Sequence, residues 1–415
     1  MTVTFVSNYI NHHQIPFSNA CYALWGEDYH FVQTQPMEQE RLSMGWSSAG
    51  EELPYVHCLY EEEARCKELI LNSDVLLAGW SGREDLVQER MKAGKLTIRI
   101  SERIYREGQW KAVSPKGLLH KYREHIRFRK SPVYLLCAGA YVPSDFHLIH
   151  AYPDKMFKWG YFTELRTYTE EELLSKKTAD GSVDIVFAGR FIPLKHPEYM
   201  IELAKDLKAL QENNETGNRS LSGRIRIHMV GSGELEEELK AKAREYGVED
   251  MLIFYGFQTP EQVRDIMEKC HIHIFTSNHL EGWGAVVNEA MNSGCAEVAN
   301  VQAGAVPYLI RQGENGIAYP DNSYEEMKKA VIYLLEHPAD RERMGLAAYQ
   351  TIAGFWNASY AANELSRMIT ELKNGTFTPA KAGPLSPAPV ISPKKMFHFM
   401  LEEKSMQKDR NKGRV

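Results

Sequence analysis

The stretch EGWGAVVNEAMNSGCA, residues 281–296, places two carboxylates eight positions apart, Glu281 and Glu289, around a Gly-Trp-Gly turn and the start of an apolar-faced helix. An ionised carboxyl accepts hydrogen bonds and donates none, so each can hold the hydroxyls of a polyol. Glu281 falls on the loop before the helix and Glu289 one to two turns inside it, at most about 12 Å further along the axis. Such a pair can grip both ends of one elongated ligand. Between them run Gly282, Trp283, Gly284, Ala285 and Val286. The last three open the helix, where free N–H groups and the positive end of the dipole receive an anion. In FAGRFIPLKHP, residues 187–197, the cations Arg190 and Lys195 follow Gly189 within six positions. Hydroxyl acceptors at both ends with positive charge between them suit a nucleotide-diphosphate sugar.

Those residues need a scaffold that brings loops together. In the second half, β-rich runs at 183–189, 224–231, 252–257, 271–277 and 296–301 alternate with helical patterns, one of them spanning 284–293. Strands joined by helices imply a parallel sheet covered on both faces, a Rossmann-like domain. Ligands of such sheets bind beyond the carboxyl ends of the strands. The two segments above lie there, as does VGSGE, whose Gly231 and Gly233 let backbone N–H groups approach a ligand closely. The first half repeats the rhythm at 2–7, 30–35, 54–60, 74–79, 96–101 and 133–139, which reads as a second doubly wound domain. The expected division is 1–165, a hinge at 166–182, 183–356, a helix at 357–374 returning to the first domain, and a flexible, Pro-rich tail at 375–415.

Composition narrows the function classes. A chain of 415 residues that is 43% hydrophobic can bury a sizeable core. The six cysteines form no C-x-x-C pair and the N-terminus lacks a signal-peptide pattern, which suggests a reducing cytoplasm. The longest apolar run, 133–142, is too short to span a bilayer. A net charge of −6 argues against nucleic acid as the main partner. His271 and His273 alternate on one strand as metal ligands can, but no third ligand is near, so they read as strand packing and no metal site is assigned.

Together these motifs resemble the retaining glycosyltransferases of the GT-B fold, glycosyltransferase group 1, of bacterial polysaccharide and glycolipid type. The resemblance rests on Glu281 to Glu289, on Gly189 with Arg190 and Lys195, on EAMNSG at 289–294 and on AGAVPYLIRQGENGIAY, and covers about 183–356. It implies an α/β chain of two Rossmann-like doubly wound domains facing an interdomain cleft. It also implies that Arg190 and Lys195 neutralise the leaving diphosphate, Glu289 binds the ribose, and Glu281 contacts the donor sugar. The chain contains no D-x-D motif, so the two cations would replace a metal, and no cofactor is expected beyond the nucleotide sugar, which is a substrate. Where the family often carries a Gly-Gly loop after its first strand, this chain has NYINHHQIPF, putting His12 and His13 at that mouth. Glu102 sits at another strand end, where the family often carries a sugar- or acceptor-contacting residue. KMFKWGYFTE, residues 155–164, reads as packing at the domain junction.

The implied activity is metal-independent transfer of a hexosyl group, with retention, to a saccharide or lipid-linked acceptor. A nucleotide-sugar 2-epimerase and a non-catalytic binding subunit of a polysaccharide assembly remain alternatives. Charge adds one more expectation. KGLLHKYREHIRFRK, residues 116–130, carries six cations against the single Glu124, and the tail from 375 is net +5 with an apolar patch at 396–401. Such segments are drawn to anionic lipid at the inner membrane face. A helix packed on the first domain with its charges solvated fits the same residues equally.

Overall fold

The computed structural model describes residues 1–38, 49–177, 180–214 and 223–412; positions 178–179 of the expected hinge and 413–415 of the tail lie outside it. It divides into two compact units, one of residues 1–164 with 355–393, the other of 165–354 with 394–415.

The first unit holds a seven-stranded sheet: β1 Val3–Ser7, β2 Tyr29–Gln33, β3 Val56–Cys58, β4 Val75–Ala78, β5 Thr97–Ser101, β6 Val133–Ala138 and β7 Met156–Trp159, in the order β3-β2-β1-β4-β5-β6-β7. All pairs are parallel. Helices on the connections cover both faces, which is why β1 and β4 are buried at every position. The aromatic-rich run at 155–164, expected to pack at the domain junction, supplies β7.

Past residue 375, where a flexible tail was expected, the chain runs antiparallel to β7, with Lys158 N–H bonding to Ser386 O at 2.8 Å and Leu385 N–H to Lys158 O at 2.9 Å. This covers an edge that would otherwise offer unpaired backbone groups. The helix Ala358–Asn374, capped by the Asn357 side chain, packs on the helix Ile15–Trp25 of the same unit.

The second unit holds β8 Val183–Ala188, β9 Ile225–Val230, β10 Leu252–Gly256, β11 Ile272–Phe275, β12 Ala296–Asn300 and β13 Gly316–Tyr319, in the order β10-β9-β8-β11-β12-β13. Its core includes Ile185, Phe187, Ile227, Met229, Ile274 and Val298, all essentially sealed from solvent. Each such side chain contributes about 1.5–3 kcal/mol by leaving water. The segment expected as a hinge is tied to this unit: Arg166 pairs with Asp265 and Glu268, and its N–H bonds to Asn292 Oδ1 at 2.9 Å. Leu173, on the short helix Glu170–Ser175, is buried. Two apolar residues of the tail are also in use, since Met396 and Met400 are buried on a helix packed against Val306–Leu309. Among the described residues no helix is long and apolar enough to cross a membrane.

Candidate active site

The order of the second sheet reverses between β8 and β11, because β9 lies on one side of β8 and β11 on the other. Connections leaving these two strands go to opposite faces, and a crevice opens between them at the carboxyl ends. The loop after β8 carries Gly189, Arg190 and Lys195; the loop after β11 carries Glu281 and leads into the helix Ala285–Asn292. Lys195 and Glu281, 86 positions apart, form an ion pair here, both side chains mostly buried. The pair rests on Phe275, the last residue of β11, whose ring centroid lies 5.8 Å from Lys195 Nζ. The same ring explains Gly284, where a Cβ would come within 2.6 Å of Phe275 and φ is +95°. Only glycine lets the chain turn there.

Arg190 is exposed and has no ion-pair partner among the described residues, so its charge is available to a ligand. The helix Ala285–Asn292 has no side-chain cap, so no side chain at its N-cap occupies its first N–H groups. Glu289 lies one turn in, half-buried, and loss of hydration pushes its carboxyl up to about 7 against the opposing pull of Arg264 and His273. Near neutral pH it is therefore part-protonated, whereas the sequence suggested a plain acceptor. Arg264 is held by Ser293 and Asn292, at the far end of the same helix.

Other residues from the sequence have packing explanations. Trp283 is 1% exposed and donates from Nε1 to Asn288 Oδ1 at 2.8 Å, pinning the turn from inside. The adjoining Gly282 is buried, and Ala285 and Val286 are half-buried. Gly231 and Gly233 lie backbone against backbone with the loop after β8: added Cβ atoms would come within 2.1 Å of Gly189 O and 2.5 Å of Phe191 O. They set the height of the Arg190 loop. His271, just before β11, accepts from Asp184 N–H at 3.1 Å, and His273 pairs with Glu297 at 2.7 Å within the sheet. Among the described residues no group of three or more His, Cys, Asp or Glu could hold a metal ion.

His196 was not legible as a site residue. It adopts φ +48° directly after Lys195, and its Nε2 lies 3.0 Å from Asn322 Nδ2 and 3.3 Å from Asn278 Nδ2, tying the β8 loop to the loops after β13 and β11. A residue before a proline is ordinarily extended, so KHP gave no signal for this left-handed turn. In the first unit, His13 stacks on Tyr161 at 5.9 Å, next to His12, and the Tyr161 hydroxyl donates to Glu102 Oε1 at 2.5 Å. Glu102 also pairs with Arg106. The structure thus gathers His12, His13 and Glu102 through Tyr161, a residue of the run expected only to pack at the domain junction.

Residues 169–351 match the family model described as glycosyl transferases group 1. By that match the segment is similar to group 1 glycosyltransferase domains. It contains the Lys195–Glu281 pair, Arg190 and Glu289. An uncharacterized glycosyltransferase of Methanocaldococcus jannaschii is 29% identical over 204 residues, 49% of this chain and 49% of that protein. The alpha-D-kanosaminyltransferase of Streptomyces kanamyceticus is 27% identical over 201 residues, 48% of this chain and 49% of that one. The chain thus spans about half the length of the curated relatives it matches. In three dimensions it is similar to HepE of Anabaena in complex with UDP, with TM-score 0.64 and 12% identity over 89% of this chain and 100% of that one. The fold is GT-B, built from two Rossmann-like domains.

Proposed function

We propose that the protein is a glycosyltransferase that moves a hexosyl group from a nucleotide-diphosphate donor to a saccharide or lipid-linked acceptor, with retention of configuration and without a metal ion. The Lys195–Glu281 pair across the switch point carries this reading, because it sets a cation and a hydroxyl acceptor side by side where a strand-end ligand binds. The likeness to a UDP-bound GT-B protein supports a nucleotide donor.

In the reaction the anomeric C–O bond to phosphate breaks, the diphosphate leaves with the electron pair, and the acceptor oxygen bonds the anomeric carbon as its proton passes to an oxygen of the leaving diphosphate. Negative charge grows on the diphosphate, and Arg190 and Lys195 stabilise it more in the transition state than before it. Glu281, displaced from Lys195 by the donor, accepts from the sugar hydroxyls. Two cations facing the diphosphate make a divalent ion dispensable.

The test is to incubate the protein with a panel of nucleotide sugars and candidate acceptors. Released nucleoside diphosphate with a sugar-bearing acceptor is the expected result. An isomerised donor would make the protein an epimerase, and donor binding with neither product a binding subunit. EDTA should leave the rate largely unchanged, and NMR of the new linkage should show the donor's anomeric configuration; strict dependence on added manganese would overturn the metal-free reading.

Glu289 gives a pH signature. Its carboxyl titrates near 7, and protonation turns one of its two acceptor oxygens into a donor and weakens the other, so donor KM should be low above pH 7 and rise severalfold as pH falls through that value. Glu289→Gln should raise KM and flatten the profile. An unchanged slope would remove Glu289 from donor binding.

A further inference from the structure

The helix Pro115–Glu124 of the first unit is built the wrong way round for a surface helix. Its half-buried positions are Gly117, Lys121 and Glu124, while Leu118, Leu119 and Tyr122 form a stripe on the opposite side, 38–51% exposed. No residue of this helix is buried. The stripe continues into the preceding turn with Trp110, 71% exposed, and Val113, 78% exposed. Lys116 and Arg123 flank it, and Arg129 and Lys130 follow; all four are exposed and have no carboxylate partner among the described residues. Glu124, the one acid of the helix, faces inward onto Lys121.

A helix of this length is marginal in water without a face to bury. Here local capping holds it, with Pro115 in the first turn and the Ser114 side chain accepting from Gly117 N–H. Its apolar face still lacks a partner. A stripe of Trp, Leu and Tyr edged by unpaired cations is complementary to a surface that offers hydrocarbon below and negative charge above. Trp80, exposed on the loop after β4, lies on the same carboxyl edge of the sheet from which the Trp110 turn departs.

We propose that the segment 110–130 docks the first unit on an anionic lipid bilayer. In the tail's apolar patch Met396 and Met400 are buried and Leu401 is exposed, so the proposal is confined to the segment whose whole stripe is exposed. The proposal rests on the first unit alone, and its failure would leave the transfer reading untouched.

The full chain should sediment with phosphatidylcholine vesicles containing phosphatidylglycerol and not with phosphatidylcholine alone, and release as salt rises. Each cation at such a surface is worth about fivefold in partitioning, so the triple variant Arg123→Glu, Arg129→Glu, Lys130→Glu should bind at least tenfold more weakly. Trp110→Ser with Leu119→Ser should do the same without changing the unfolding midpoint, since neither side chain is buried. Equal binding to both vesicle types, no binding at low salt, or wild-type binding by both variants would overturn the proposal. So would dimerisation through the stripe, lost in Trp110→Ser with Leu119→Ser, in a protein that ignores vesicles.

Discussion

Arg190→Ala should lower kcat at least tenfold with little change in stability. The side chain is exposed and holds no ion pair among the described residues, so its removal leaves the fold alone and takes a positive charge from the leaving diphosphate. Tenfold is about 1.4 kcal/mol of barrier. Removing one donor to a developing oxyanion often costs about a hundredfold or more, so tenfold is a floor. Glu281→Ala should fall as far for another reason: it loses the acceptor for the sugar hydroxyls and releases Lys195 from its partner. Because those two side chains touch, Lys195→Ala combined with Glu281→Ala should cost less than the sum of the single losses. Steady-state kinetics on the donor found in the panel provide the check. Wild-type kcat in Arg190→Ala, or strict additivity of the pair, would remove this crevice from the chemistry.

The second large effect is on stability. Gly231 has φ +134°, and a Cβ there would lie 2.1 Å from Gly189 O, backbone against backbone, where nothing flexible can yield. Gly231→Ala should therefore destabilise the protein by about 3 kcal/mol or more, adding an unfavourable backbone conformation to steric overlap. Gly247 offers the comparison: it ends a helix at φ +63° with open space around it, so Gly247→Ala carries only the left-handed conformational cost, about 1 kcal/mol. Chemical denaturation of both variants tests the ordering. Equal losses would mean that the β8 and β9 loops are not locked together, and that the height of the Arg190 loop is set by other contacts.

Much of the scaffold could be read from local pattern. Runs of β-branched and aromatic residues alternating with helical periodicity marked eleven of the strands, because each pattern depends on a residue and its near neighbours. Residues 156–159 and 316–319 escaped: Lys158 interrupts the apolar run of the first, and the second opens on Gly316. A hinge and a flexible tail were inferred from polarity and proline content, yet Arg166 and residues 385–388 are held by partners far away in sequence.

For the site, the sequence by itself determined which residue types stand at strand ends: glycines where the chain must turn, two cations after β8, and carboxylates on either side of a helix start. Strand–helix alternation forces the connections of a parallel sheet to those ends, so their chemistry was legible without coordinates. Strand order was not, because no local signal tells β8 to pair with β11. Only the tertiary structure decided that Lys195 would meet Glu281, that Trp283 and the glycines of VGSGE would serve packing, that desolvation would bring Glu289 to titrate near neutrality, and that the helix at 115–124 would turn its apolar stripe outward. Each outcome depends on what lies within a few ångströms in space, and burial and charge at that range are set by residues tens to hundreds of positions away along the chain.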